Sequence, residues 1–150
     1  MPKAMITKVI KLGIAVKDLE KSVQLWEQVY GIGPWKVLTR EMCAKAFTDV
    51  TYKGKPIEMD LCLAITDVDG LTIELLQQIS DEGPFSDFIE EYGEGIQHMA
   101  VEAEDGFIEL LEQRGNTRMF SATMVNKNQE LIYFDSAKDL GFTVEVFKPL

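Results

Sequence analysis

One order of elements, a strand, then a helix, then several strands, occurs twice in this chain, so any fold it adopts must build both halves on one plan. Val9 to Val16 alternates as a strand, with Leu12, Ile14 and Val16 on one face and Lys11, Gly13 and Ala15 on the other. Asp18 then stands as a helix N-cap, and Leu19, Val23, Trp26 and Tyr30 recur at helical spacing as one apolar stripe. Gly31 to Trp35 stops that helix. An extended segment, a hairpin-like turn at Tyr52 to Pro56 and the strands Met59 to Ile65 and Leu71 to Gln77 complete the first half. The second half repeats the order, with a strand from Ile96 to Ala103, an acidic turn at Glu104 and Asp105, a helix from Gly106 to Gln113, a stop at Gly115 and strands ending in Phe142 to Phe147.

Aligning the halves sets Lys11 opposite His98 and Glu74 opposite Glu145. The interval between the aligned positions is longer in the first half, so that half carries the larger middle, a turn-rich stretch from Lys36 to Lys55. Between the halves the composition shifts: Ser80 to Pro84 is a break, and Phe85 to Tyr92 is one short helix closed by Gly93. The expectation is a single α+β domain over 1–150, built from two βαβββ modules. Module one covers about 1–79, a linker about 80–95 and module two about 96–150, with a mixed sheet curling around a cavity.

Three polar residues stand out against this background. His98 is the only histidine, and Glu74 and Glu145 are lone acids inside otherwise apolar strands. Alternation puts Ile96, His98 and Ala100 on one face and Gln97, Met99 and Val101 on the other, and Lys11 on the same side as His98. An inward histidine is a metal ligand, a general base or a core residue satisfied by one hydrogen bond, and the last is the commonest. Four such positions facing one another across a pseudo-twofold axis converge on one cavity.

Composition removes whole classes of function. A net charge of −10 with Lys and Arg scattered singly leaves no basic face for phosphates, so nucleic acid is not an expected partner. No apolar run approaches the roughly 20 residues of a membrane span, and the first residues lack the features of a signal peptide, which points to the cytoplasm. Cys43 and Cys62 lack the spacing of a disulfide framework or a closed zinc site and read as free thiols. Cys62 is expected to pack in a strand, whereas Cys43, beside Arg40 and Glu41, is a candidate reactive thiol.

Four segments carry a family resemblance: Gly13 to Ser22, Ile73 to Leu76, Gly93 to Ala100 and Val144 to Phe147. Together they resemble the landmark segments of the vicinal oxygen chelate superfamily, which includes glyoxalase I, methylmalonyl-CoA epimerase, extradiol dioxygenases and bleomycin-resistance proteins. Gly31 to Trp35 and Tyr52 to Pro56 look like an epimerase-like branch. The resemblance implies a glyoxalase-like fold, a small-molecule substrate or ligand and a homodimer. It also implies a divalent metal (Ni, Co, Zn or Mn) on His98, Glu74 and Glu145, with Lys11 at the position where the family usually has a histidine. A protonated lysine has no lone pair to donate, so the same four residues also allow a metal-free, salt-bridged pocket. Two functions follow from the resemblance. One is a lyase or isomerase that removes a proton next to a carbonyl and stabilises the enolate, with Glu74, Glu145 and Lys11 as catalytic residues. The other is a non-catalytic, metal-free binding protein of the bleomycin-resistance kind. Specificity is expected in Thr39 to Tyr52 and Asn116 to Glu130.

Overall fold

Asp18 caps a helix as its position predicts: its Oδ1 accepts from the Lys21 amide at 3.1 Å and opens α1 (Leu19–Gln28), directly after the strand β1 (Ile6–Ala15). The computed structural model describes all 150 residues, Met1–Leu150. From α1 the chain continues through β2 (Lys36–Leu38), α2 (Arg40–Ala46), β3 (Phe47–Tyr52), β4 (Lys55–Pro56), β5 (Leu61–Val68) and β6 (Leu71–Gln78). Helix α3 (Pro84–Tyr92) leads to β7 (Gly95–Ala103), α4 (Phe107–Gln113), β8 (Thr117–Met124), a single 3-10 turn at Val125–Lys127, β9 (Gln129–Asp135), α5 (Ala137–Leu140) and β10 (Thr143–Pro149).

The ten strands form one mixed sheet in the order β2-β5-β6-β1-β7-β10-β9-β8-β3-β4. Its first eight positions are palindromic: β1, β6, β5 and β2 run outward on one side of the centre, and β7, β10, β9 and β8 do so on the other. β1 and β7 pair antiparallel at the centre, while β1 with β6 and β7 with β10 are the two parallel pairs. The internal repeat of the sequence is thus a structural repeat, and the sheet is curled and unclosed, with β2 and β4 as its edges.

Three apolar clusters hold the sheet and its helices. On one outer flank Val16, Leu19, Ala64 and Leu75 pack under α1, joined by Val23, Trp26 and Trp35. On the other, Val101, Phe107, Leu111, Ile132, Phe134, Val144 and Val146 pack under α4. The third and largest draws Leu61, Leu63 and Leu76 from the first half and Phe120, Ala122, Leu131 and Tyr133 from the second, with Phe85 of α3 among them. Each side chain fully removed from water contributes about 1.5–3 kcal/mol, so this shared cluster binds the halves together. Tyr30 departs from the expected stripe, because α1 ends before it and its ring is exposed.

The longer middle of the first half is more ordered than a turn-rich stretch. Thr39 Oγ1 accepts from the Met42 amide at 3.3 Å and caps α2, and β3 then leaves its own half to pair antiparallel with β8 of the other. Seven residues of helix are too few for a clear period, and the alternation of β3 is broken at Asp49, whose φ of 50° lies in the left-handed region. Asn116 to Glu130, the second stretch in which specificity is expected, is mostly the strand β8 and the start of β9. No helix is long and apolar enough to cross a membrane.

Candidate functional site

Two β-bulges at the centre of the sheet aim the site residues. Along β1 and β7, Val9 pairs with Val101 and Lys11 with Ala100, leaving Ile10 as the extra residue; Gly13 pairs with His98 and Ile14 with Ile96, leaving Gln97 as the extra residue. The two bulges sit at equivalent places in the repeat, each immediately before its site residue. A bulge lets neighbouring side chains share a side that strict alternation would divide. Gln97 and His98 are accordingly both buried, while Ile96, expected on the face of His98, is 54% exposed. On β1 the same device puts Ile10 and Lys11 together on the cavity wall.

The residues opposite are small. His98 lies against Gly13, and a Cβ built on Gly13 would overlap the imidazole ring, whereas Lys11 lies against the fully buried Ala100. The parallel neighbours complete the pattern: Glu74 of β6 is level with Gly13, and Glu145 of β10 is level with Ala100. Lys11, Glu74, His98 and Glu145 therefore meet in space, as the alignment of the halves implied.

Their contacts are those of a buried ion cluster. Lys11 Nζ lies 2.9 Å from Glu145 Oε1 and 3.4 Å from Glu74 Oε1, and His98 Nε2 lies 3.3 Å and 3.6 Å from the same two oxygens. His98 Nδ1 is 2.7 Å from Gln97 Oε1, to which it donates, which turns Nε2 toward the carboxylates. The ring of Tyr133 stacks on the imidazole at 4.5 Å between centroids, and its hydroxyl is 3.5 Å from Nε2. Glu145 Oε2 has no hydrogen-bond partner.

Electrostatics fix the charges of Glu145 and Lys11. Burial raises the Glu145 carboxyl, but the charges of Lys11 and His98 and their hydrogen bonds outweigh it and hold the group down at about 2. Burial disfavours the Lys11 ammonium, yet Glu145 and, after it, Glu74 reverse that and raise its pKa above the ordinary lysine range. Lys11 is a fixed cation and Glu145 a fixed anion. Burial first, then the two carboxylates, push the Tyr133 phenol well above its ordinary range, so it stays protonated.

The cluster forms one end of a cavity of about 460 Å³, within the range of about 300–1,000 Å³ usual for ligand pockets. Lys11, Glu74, Glu145 and Tyr133 line it, and most of the remaining wall is apolar, from Leu61, Leu63, Leu76, Phe85, Phe120 and Leu131 among others. His98 stands behind that wall, fully buried. Ala46 of α2 and Phe47 of β3 close one side, so the inserted segment is part of the container.

The sequence model of the Glyoxalase/Bleomycin resistance protein/Dioxygenase superfamily matches residues 11–134. The chain belongs to this superfamily. Among solved structures it is similar to methylmalonyl-CoA epimerase from Mycobacterium tuberculosis, at 16% identity and a TM-score of 0.63 over 100% of this chain and 93% of that one. A variant of the Streptomyces coelicolor methylmalonyl-CoA epimerase in complex with 2-nitronate-propionyl-CoA matches at 16% identity and a TM-score of 0.64, covering 96% of this chain and 98% of that one. A hypothetical protein from Bacillus halodurans matches at 18% identity and 0.65, covering 95% and 94%. A search of curated proteins returns no match.

His98, Glu74 and Glu145 are the residues expected to hold a divalent metal. They do not fit one as they stand. The Lys11 ammonium already holds the oxygens that would face the ion, it has no lone pair to give, and a dication between the carboxylates would have to displace it. No group of three or more His, Cys, Asp or Glu side chains has the arrangement of a metal site.

Sequence reasoning missed Gln97, Gly13 and Tyr133. Bulges have no compositional signature, a glycine in a strand reads as a weak position, and a tyrosine in the apolar run of β9 reads as core. Cys43 and Cys62 are both free. Cys62 lies in β5, as expected, but Cys43 is buried in α2 and burial pushes its thiol up to about 12, so it is not the reactive thiol its charged neighbours implied.

Proposed function

We propose that the chain binds a small carbonyl compound in this cavity and removes the proton next to the carbonyl, as an isomerase or lyase of the glyoxalase and epimerase kind. The observation that carries this reading is the position of Lys11: its ammonium lines the cavity, faces the two glutamates, and has three N–H donors for those two partners. The third donor is available to a ligand oxygen. In the reaction the α C–H bond breaks, its proton goes to a Glu74 oxygen, and the electron pair moves onto the carbonyl oxygen as an enolate held by Lys11. Glu74 suits the base because it lines the cavity and is less enclosed than Glu145, while Glu145, held down at about 2, is a weak base and an anchor for the lysine. His98 holds both carboxylates from behind. The structural neighbours named methylmalonyl-CoA epimerase support α-proton chemistry in a cavity of this fold. With the metal site unfit, the lysine supplies the positive charge.

Incubation of the protein with a panel of small thioesters and ketones in D2O, followed by mass spectrometry, tests the proposal. The wild type is expected to place solvent deuterium at the α-carbon of at least one of them. Glu74→Gln is expected to slow that exchange by about 10²-fold or more, the usual scale for losing a general base, and Lys11→Met to slow it at least as far. A wild type that binds a panel member and exchanges no proton would make this a binding protein, the second function open to the superfamily.

A further inference from the structure

The cavity is electrically polar from end to end, and that polarity specifies its ligand. At the inner end the cavity lining holds two carboxylates, Glu74 and Glu145, against one ammonium, Lys11, while His98 stands behind the wall. The donors there that a ligand can use are the third N–H of Lys11 and the hydroxyl of Tyr133, whose nearest partner is at 3.5 Å, and the acceptors left beside them are carboxylate oxygens such as Glu145 Oε2. The middle of the wall is apolar. Where the cavity meets solvent its lining includes two lysines, Lys36 at the start of β2 and Lys127 at the end of the 3-10 turn, both exposed and neither in an ion pair. No acid other than Glu74 and Glu145 lines the cavity, although the chain has 25 acids against 15 Lys and Arg.

We propose that the ligand is an anion carried on an apolar body with an uncharged carbonyl at the far end: the carbonyl enters first and accepts from Lys11 and Tyr133, and the anionic group remains at the mouth between Lys36 and Lys127. This rests on the reading of the cavity as a carbonyl site and adds a discrimination to it. A ligand with a carboxylate at its inner end meets Glu74 and Glu145 across an apolar, poorly screened space and is rejected, because like charges in such a setting repel strongly. Malonyl-type thioesters, which carry a free carboxylate beside the reacting carbon and appear in the names of the epimerase neighbours, are by this argument excluded from this chain.

Three probes of equal chain length separate the contributions in calorimetric titration: octanamide, with a neutral inner carbonyl and no anion; 8-amino-8-oxooctanoate, with the same amide and a carboxylate at the other end; and octanedioate, with a carboxylate at both. The amide-carboxylate is expected to bind best, about tenfold tighter than octanamide, and octanedioate weakest. Reversing both mouth charges with Lys36→Glu and Lys127→Glu is expected to remove that tenfold advantage and leave octanamide unchanged; both residues are exposed, so the fold survives the change. Equal binding of octanedioate and the amide-carboxylate, or an advantage that persists in the double variant, overturns the inference while octanamide binding keeps the carbonyl reading intact. Failure of all three probes to bind counts against the carbonyl reading itself.

Discussion

At the scale of single residues the site depends on what is absent as much as on what is present. Gly13 has to lack a Cβ because the His98 ring lies where one would be. Gly13→Ala is therefore expected to destabilise the protein by about 1–3 kcal/mol through overpacking. In a His98→Ala background, where the obstructing ring is gone, most of that cost should vanish. Urea denaturation of the two single variants and the double variant measures the coupling; purely additive effects would show that the glycine serves the strand and not the ring. Lys11 supports a second expectation. Breaking a buried ion pair from one side costs about 3–5 kcal/mol, so Lys11→Met should be that much less stable at neutral pH. In the wild type, Glu145 has a folded pKa of about 2, below its ordinary 4.5, so its contribution is complete above pH 4.5 and is lost as pH falls toward 2. Lys11 has a folded pKa raised above its ordinary 10.5, so its contribution is complete below pH 10.5 and is lost as pH rises beyond that. Without the ammonium, protonation of the glutamates relieves their repulsion. The stability gap between wild type and Lys11→Met should then narrow as pH falls from 7 through 4, and parallel curves would contradict the pairing.

At the scale of elements, the segment α2–β3–β4 decides whether the cavity has a closed side. It starts in the first half, is stitched to β8 of the second by β3, and is tied to α3 by the Tyr52 hydroxyl, which donates to Asp87 Oδ2 at 2.6 Å. A hydrogen bond to a carboxylate is worth about 1.5–3 kcal/mol when buried, and Asp87 is partly exposed, so Tyr52→Phe is expected to cost about 1 kcal/mol. Its clearer signature is local: hydrogen exchange should speed up in Phe47–Tyr52 while β1 and β7 keep their protection. Uniformly faster exchange across the sheet would mean that the segment is not a separate unit. The segment was poorly legible in the sequence, since a helix of one or two turns and a strand broken by a left-handed Asp49 each fall below the length at which periodicity speaks. α1 and α4 were legible because a cap or a glycine stop and apolar residues at helical spacing coincide in each.

At the scale of the whole molecule, the halves share their largest cluster and their central strand pair, so neither has a complete core alone. Unfolding is expected to be a single cooperative transition. Trp26 and Trp35 both belong to the first half, so tryptophan fluorescence reports that half while far-UV circular dichroism reports both. Coincident urea transitions by the two probes are expected; a fluorescence transition that precedes or follows the other would show halves that fold independently.

The sequence by itself determined the repeat, the helices α1, α3 and α4 and the meeting of Lys11, Glu74, His98 and Glu145, because all of these are written in local periodicity and in the likeness of one half to the other. Tertiary structure alone decided the rest. Gln97 turned inward and Ile96 outward because a register shift between two strands is a property of the pair and leaves no trace in either strand. β3 joined the opposite half because the outer side of β8 takes the strand that the curl of the sheet brings near. Lys11 became the cation of the cluster because its ammonium comes within 3.4 Å of both glutamates, a distance set by the pairing of β1 with β6 on one side and with β7, itself paired to β10, on the other.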